Sequence, residues 1–384
     1  MERGWTRNRS AVGRPLVRSP IPERPEIHQI VLPLPPTAGR SVNTIQVHLI
    51  EGDPLTLIDT GTRMRESRAV LESALEELGY DLTDIERVVL THAHSDHMGL
   101  VQGIREAGAS LECWVHGDDA PMVEAQDELL RARSGGVREL LREHGLPQGL
   151  LARMDAGRRD TLRRVAAESQ STKVDRVLEE GDRVAFKHFG LVVRHSPGHT
   201  PGHILLEDEE TRILFTGDQI MEQAIPNTET YYLEGPAAES ERRPSSADRP
   251  VGSPDHVDAL HRRARFRGLL EMRRSLRRLR SRRFKRLLPA YGGVIQRSER
   301  AIGATLLYYD VRIHRIDRSL RHLAALGQDV TAFEIWQSLF PQDAPYETIR
   351  DQLLLVIGAL DCLEDEGKLQ TRRRHDGVLI HQHV

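Results

Sequence analysis

Four residues whose side chains can bind metal ions occur within six positions of the chain. His92, His94, Asp96 and His97 come directly after a short apolar run, Val88–Leu90. A helix or a strand could not point all four in one direction, whereas a tight loop after a buried strand lets them converge. Imidazole nitrogens and carboxylate oxygens together suit a borderline divalent ion such as zinc, and also iron or manganese. The segment therefore predicts a metal site at a strand end.

Two further groups of such residues follow later strands. Residues 195–203 read HSPGHTPGH, with His199 at the centre, and Asp218 ends the tripeptide TGD. A polar loop with a coincidental histidine would explain any one of these groups. Three of them at strand ends in one chain are improbable by chance, so we expect them to meet at one site.

The loops need strands and helices to hold them in place. Short β-branched and Leu runs separated by turn residues predict strands, and Leu or Ala at helical spacing predicts helices. The predicted strands are 44–50, 55–58, 87–90, 111–115, 184–195, 204–207, 212–216, one ending near 288, 369–373 and 378–381. The predicted helices are 66–78, several within 121–170, 258–286, 300–325, 332–339 and 346–366.

The same patterns divide the chain into regions. Residues 1–26 are rich in Arg, Gly and Pro and predict a disordered tail. Residues 27–299 form the expected catalytic domain, in which 235–256 is expected to be a flexible loop. Residues 300–384, helices followed by a hairpin with an Asp-Gly turn, predict a winged-helix domain.

Composition sets wide limits on function. The 384 residues include 54 Lys+Arg and 57 Asp+Glu, a formal net charge of -3, and 4% aromatic residues. Balanced charge and few aromatic stacking platforms disfavour nucleic acid as a partner. No apolar run approaches the ~18 residues of a membrane span and no secretory signal is visible, so we expect a cytoplasmic protein without a membrane partner. Cys113 and Cys362 lie far apart, which excludes a disulfide framework and a thiolate zinc site.

Four short segments of the chain resemble sequence motifs of the metallo-β-lactamase superfamily. They are LIDTG at 57–61, THAHSDHMG at 91–99, SPGHTPGH at 196–203 and FTGD at 215–218. The third is similar to glyoxalase II-like members. The resemblance implies an α+β fold, an αββα sandwich with the metal site at one edge of its two sheets. The C-terminal region resembles the winged-helix domain appended to one branch of the superfamily, which includes an endoribonuclease-type subgroup.

The resemblance also implies a role for each ligand. His92, His94 and His199 would bind the first metal, Asp96 and His97 the second, and Asp218 would bridge both. Where the family has one more histidine for the second metal, this chain has Tyr291. A neutral phenol is a poor ligand at pH 7, because its pKa is near 10. We therefore expect one tightly bound Zn²⁺, with two ions, or iron or manganese, as alternatives.

The expected function is hydrolysis of a thioester or another activated acyl ester of a small molecule, with a metal-bound hydroxide as the nucleophile. Asp96 would orient the water and take its proton, and Tyr291 would hydrogen-bond the oxyanion or the leaving group. Three alternatives stay open: an endoribonuclease of the winged-helix branch, an iron-dependent sulfur dioxygenase, and a binding protein with a degraded site. The apolar positions within 353–363 exceed what one thin helix face needs, so a homodimer is also a hypothesis.

Overall fold

A sheet of seven strands is built by the first half of the chain. The computed structural model describes residues 17–18, 21–35, 42–222, 224–232, 265–327, 329–341 and 344–384. The strands lie in chain order, β1 to β7. Neighbours are antiparallel from β1 to β4 and parallel from β4 to β7. The strands are β1 Val17–Arg18, β2 Ile27–Pro33, β3 Thr44–Ile50, β4 Thr56–Ile58, β5 Arg87–Val89, β6 Glu112–His116 and β7 Arg176–Leu178.

A second sheet of five strands has the order β14-β11-β10-β9-β8. Because β9 and β11 are both antiparallel to β10, and β14 is parallel to β11, the carboxyl ends of β9, β11 and β14 meet at one edge. Two two-stranded sheets, β12-β13 and β15-β16, complete the strands of the described residues. The bounds are β8 Arg183–Ala185, β9 Gly190–His195, β10 Ile204–Asp208, β11 Ile213–Gly217, β12 Thr230–Tyr232, β13 Arg265–Arg267, β14 Arg286–Pro289, β15 Leu369–Arg373 and β16 Leu379–His383.

The two large sheets pack face to face over an apolar core. Side chains alternate between the faces of a strand, so Ile58 and Val89 point toward the second sheet, where they meet Phe215 and its neighbours. Leu57 and Val88 point the other way, toward helices. The predicted αββα sandwich is confirmed by this order of layers.

Helices cover both outer faces of the sandwich. Among the described residues they are α1 Arg65–Glu77, α2 Ser95–Met98, α3 Val101–Glu106, α4 Ala120–Glu124, α5 Gln126–Glu143, α6 Gln148–Glu168, α7 Gly268–Arg280, α8 Ser298–Ala325, α9 Ala332–Leu339 and α10 Tyr346–Asp365. α1, α3 and α4 pack on the seven-stranded sheet. α7 packs on the five-stranded sheet, with the C-terminal helices outside it. In the part of the chain that is described, no helix is long and apolar enough to cross a membrane.

The C-terminal region shares its hydrophobic core with the catalytic sandwich. Leu353 and Leu360 of α10 belong to the same buried cluster as Leu269 and Leu276 of α7. Gly358 lies so close to α7 that a Cβ there would come within 2.8 Å of Leu269. The three helices and the hairpin follow the predicted order, but the boundary at 300 is not a boundary between separate cores, because Ile302 and Leu306 near the start of α8 belong to the shared cluster.

Two predicted elements differ in extent from the observed ones. The strand predicted over 184–195 is two strands, β8 and β9, joined by a turn. The helix predicted over 258–286 is the shorter α7, preceded by β13, and residues 258–264 lie outside the described part. The first segment bends at Lys187 and His188, a polar pair inside an otherwise apolar run. The second carries Arg at so many positions that its polar residues do not mark where the helix begins.

The predicted disordered tail is wrong for its last residues. Ile21 is buried. Glu23 accepts a hydrogen bond from Arg286 at 2.9 Å, and Arg24 donates to Asp208 at 2.6 Å. These partners lie more than 180 residues away, so nothing in the local composition signals them. Residues 1–16 and the predicted loop 235–256 lie outside the described residues.

Candidate metal centre

Four loops at one edge of the sandwich carry the predicted ligands. They follow β5, β9, β11 and β14, whose carboxyl ends lie at this edge. Backbone hydrogen bonds hold the loops together. The amide of Ile204 donates to the carbonyl of Thr91 at 2.9 Å, and the amide of Ala290 donates to the carbonyl of Gly217 at 3.0 Å. The two sheets therefore place residues from distant parts of the chain in one cluster.

The four residues expected around the first metal do converge. One donor atom from each of His92, His94, His199 and Asp218 lies within 4.8 Å of all the others. Nδ1 of His94 is 2.9 Å from Nε2 of His92 and 2.9 Å from Nε2 of His199. The Oδ2 atom of Asp218 is 3.2 Å from the same nitrogen of His199. His92 is completely buried, and burial holds its pKa well below the usual range, so its imidazole is neutral.

This donor set fits a divalent cation. Three imidazole nitrogens that face one another cannot all carry protons, and their lone pairs repel unless a cation lies between them. Nε2 of His97 and Oδ1 of Asp218 are buried, lie 3.2 Å apart and form no well-angled hydrogen bond. Buried polar atoms normally have partners, and a bound metal ion would supply one here.

His97 lies on the other side of Asp218 from His199. Asp218 thus presents Oδ2 to one histidine and Oδ1 to the other, as a bridging carboxylate would. Burial lowers the pKa of His97, but Asp59 and Asp218 outweigh it, so that pKa lies well above its usual range. Conversely, His97 and His199 overcome burial and hold the pKa of Asp218 well below its usual range. A cation at this position would displace the proton from His97.

Asp59 orients His97 and the strand-end loop. Its Oδ2 accepts from Nδ1 of His97 at 2.8 Å and from the hydroxyl of Thr91 at 2.8 Å. Its Oδ1 accepts from the amide of Thr91 at 2.8 Å. Asp59 has a positive φ of 58°, a conformation that Asp tolerates better than most residues and that turns the chain after β4. The proton on Nδ1 leaves Nε2 of His97 facing the cluster.

Asp96 and Tyr291 form a pair next to this cluster. The hydroxyl of Tyr291 donates to Oδ2 of Asp96, and both residues are buried. Asp96 is not one of the four residues whose donor atoms converge. The Tyr291 hydroxyl is bound to Asp96 in this structure, and its expected role at the substrate's oxyanion or leaving group stays a prediction.

Further histidines surround the ligands without joining the cluster. Nε2 of His203 accepts from the amide of Asp218 at 3.1 Å, and burial holds its pKa well below the usual range. His116 and His195 stack with ring centroids 3.9 Å apart. Nε2 of His195 is bound to the carbonyl of Pro201 at 2.8 Å, and the two histidines form with Asp118 a second, less buried group of possible ligands.

Two carboxylates that hold the ligand loops were missed in the sequence. Asp119 accepts from the amides of Ala93 and Gly202, at 2.9 Å and 2.8 Å, and so ties the first ligand loop to the second. Glu229 accepts from Nε2 of His94 at 3.2 Å and from Arg133 at 2.8 Å. Asp119 follows strand β6 in the segment HGDD, a fourth strand end with ligand-type residues, and that position was its signal. Glu229 has no comparable signal.

A family model described as the metallo-beta-lactamase superfamily matches residues 39–290. The chain belongs to the metallo-β-lactamase superfamily. It is a metallo-hydrolase of that superfamily, and its clustered His and Asp residues could hold a divalent metal ion. The resemblance that rested on four short segments is thus confirmed.

Relatives and a solved structure agree with this assignment. The chain is 29% identical over 331 residues to the "Probable metallo-hydrolase YqjP" of Bacillus subtilis, covering 85% of this chain and 89% of that protein. It is 29% identical over 196 residues to the human "Acyl-coenzyme A thioesterase MBLAC2", covering 48% of this chain and 61% of that protein. A metallo-beta-lactamase family protein from Thermus thermophilus has the same fold, with a TM-score of 0.67 at 22% identity over 94% of this chain and 99% of that one.

Proposed function

We propose that this metallo-hydrolase cleaves a thioester or another activated acyl ester of a small molecule. The observation that carries the proposal is the convergence of the buried His92, His199 and Asp218 with the half-buried His94, with Asp96 beside them. The similarity to a protein named as an acyl-coenzyme A thioesterase supports the choice of acyl substrate.

The chain's own residues would divide the work of holding the metal. Nε2 of His92 and His199, Nδ1 of His94 and Oδ2 of Asp218 would hold the first ion. A divalent cation bound there lowers the pKa of water and polarises an acyl oxygen. Zn²⁺ is our proposal, because three imidazoles and one carboxylate suit it.

Asp96 would orient the attacking water and accept its proton. The hydrogen bond from Tyr291 fixes the carboxylate in one orientation next to the ligands. A positioned acceptor of this kind contributes about 10²- to 10⁴-fold to a hydrolytic rate. Tyr291 therefore acts on the reaction through Asp96.

The test is a substrate panel with the purified, metal-loaded chain. Acyl thioesters, lactones, phosphodiesters and RNA are compared for the unmodified chain, for Asp96→Asn, and for Asp155→Asn as a control. Asp155 is an exposed carboxylate on α6 that pairs with Arg138 of α5 and is not one of the ligands. We expect thioester turnover that Asp96→Asn abolishes and Asp155→Asn leaves unchanged.

Other outcomes would replace the proposal. RNA cleavage without thioester turnover would favour the endoribonuclease, and oxygen consumption by the iron-loaded chain would favour the dioxygenase. Tight metal binding with no turnover of any substrate would favour a binding protein.

A further inference from the structure

One short segment orients two of the metal-binding histidines. It is residues 225–229, which lead from the loop after β11 into β12. The carbonyl of Asn227 accepts from Nδ1 of His199 at 2.8 Å, and the carboxylate of Glu229 lies 3.2 Å from Nε2 of His94. We call residues 225–229 the orienting segment.

The orienting segment determines which nitrogen of each ring faces the cluster. A carbonyl oxygen only accepts hydrogen bonds, so Nδ1 of His199 must carry the proton and Nε2 presents a lone pair to the cluster. A carboxylate next to Nε2 of His94 places the proton on that nitrogen in the same way, and leaves Nδ1 for the cluster. The ligand atoms of both histidines therefore depend on where residues 227 and 229 lie.

Contacts near both ends hold the orienting segment in place. The hydroxyl of Tyr309, on the C-terminal helix α8, donates to the carbonyl of Pro226. Tyr309 is only 2% exposed, and burial raises the pKa of its hydroxyl above the usual range, so the group remains a donor. At the other end of the segment, the amide of Gly268 donates to the carbonyl of Glu229 at 2.9 Å.

No side chain could replace hydrogen at Gly268 without moving this segment. A Cβ there would lie 2.0 Å from the carbonyl oxygen of Glu229 and 2.6 Å from that of Gly198. The first turn of α7 therefore packs directly on the orienting segment and on the loop of His199. Because α7 in turn shares its core with α8 and α10, the ligands and the C-terminal helices form one packed unit.

We propose that Tyr309 is a positioning residue of the metal centre, through which the C-terminal region sets the affinity of the site for its metal. The hydroxyl fixes Pro226, and with it the carbonyl of Asn227 and the carboxylate of Glu229. The C-terminal region is thus part of the metal site and not only an appended module. This proposal concerns metal binding and does not rest on the choice of an acyl substrate.

The decisive variant is Tyr309→Phe, which removes one oxygen and keeps the ring. Tyr308→Phe is its matched control, since Tyr308 is the neighbouring residue on the same helix and its ring lies under the guanidinium of Arg312. Glu229→Gln is the positive control, because it changes the direct partner of His94. Zn²⁺ affinity is measured by competition with a chromogenic chelator, and the visible spectrum of the Co²⁺-loaded protein reports the geometry of the ligands.

Losing the direct partner of a ligating histidine weakens metal binding about 10- to 100-fold. We expect a loss in that range for Glu229→Gln, about 10-fold for Tyr309→Phe with a shifted Co²⁺ spectrum, and no change for Tyr308→Phe. Unchanged affinity and spectrum in a folded Tyr309→Phe protein would overturn the proposal.

A second measurement decides the matter if Tyr309→Phe does not fold. Hydrogen–deuterium exchange is followed in the unmodified chain with and without Zn²⁺. The proposal requires the metal to slow exchange in 224–232 and in 305–312 together. Slowing confined to the loops that carry the ligands would refute it.

Discussion

The substitution Tyr291→His should increase the number of metal ions that the protein binds. The Tyr291 and His97 rings lie at right angles with centroids 6.2 Å apart, and the Tyr291 hydroxyl is bound to Asp96. Residue 291 thus lies beside both residues expected to bind a second ion. An imidazole at position 291 would complete the ligand set expected for the second ion, where the chain now has a neutral phenol.

The size of the effect follows from the chemistry of phenols. Converting a phenol of ordinary pKa near 10 to a phenolate at pH 7 costs about 3 pK units, or about 4 kcal/mol. An imidazole avoids this cost, so Tyr291→His should tighten the second site by up to about 10³-fold. The gain will be smaller to the extent that loss of the hydrogen bond to Asp96 loosens that carboxylate.

Elemental analysis after dialysis against a weak chelator measures the effect. We expect one tightly held equivalent in the unmodified chain and nearly two in Tyr291→His. Tyr291→Phe is the matched control, because it removes the phenolic oxygen without adding a nitrogen, and it should retain one equivalent. Two tightly held equivalents in the unmodified chain, or no rise with the histidine, would show that the reasoning is wrong.

Three further predictions concern the reaction, stability and the C-terminal region. Asp96→Asn should lower kcat by about 10²-fold or more with an unchanged circular dichroism spectrum, and near-normal turnover would remove Asp96 from the mechanism. Burial lowers the pKa of His48 to about 3. Between about pH 6.5 and pH 3 His48 is therefore protonated in the unfolded chain but not in the folded one, so stability falls as the pH drops through this range. At pH 5 the free energy of unfolding should be lower than at pH 7 by about 2 kcal/mol from His48 alone. Urea unfolding at the two pH values should therefore show a smaller loss of stability for His48→Leu than for the unmodified chain. Equal losses would contradict a lowered pKa of His48. A chain truncated after residue 297 should be insoluble or fail to bind metal, since it exposes the apolar face of α7; a soluble, metal-binding product in gel filtration would contradict this.

The metal ligands could be predicted from the sequence because each lies next to a strand. His92 and Asp218 each lie no more than three positions after a run of buried apolar residues, and the end of such a run shows where a strand ends. The sandwich was implied by the resemblance of four short segments to the metallo-β-lactamase superfamily. Residue type, spacing and strand ends predicted that these groups meet at one metal site, and the resemblance then implied which residues bind the first metal.

Two of the residues that support the ligands could not be predicted in this way. Asp119 acts on amides 26 and 83 residues away, and Glu229 acts on a histidine 135 residues away. The strand-end position of Asp119 shows that it could belong to the site but not which amides it accepts from, and Glu229 has no local signal at all. The partner of Tyr291 was missed for the same reason: its departure from the family pattern is visible in the sequence, but the direction of its hydroxyl is not.

The position of the ligands also links metal supply to the persistence of the folded protein. His94 and His199 are 105 residues apart, on loops that extend from the two facing sheets. An ion bound to both joins the sheets much as a covalent cross-link would, and it binds the native chain far more tightly than the unfolded one. Mass action then stabilises the fold by RT ln(1 + [metal]/Kd), about 2.7 kcal/mol at a free concentration 100 times Kd. A cell that runs short of the metal would lose not only the activity of this protein but a share of the molecules themselves, to unfolding and proteolysis.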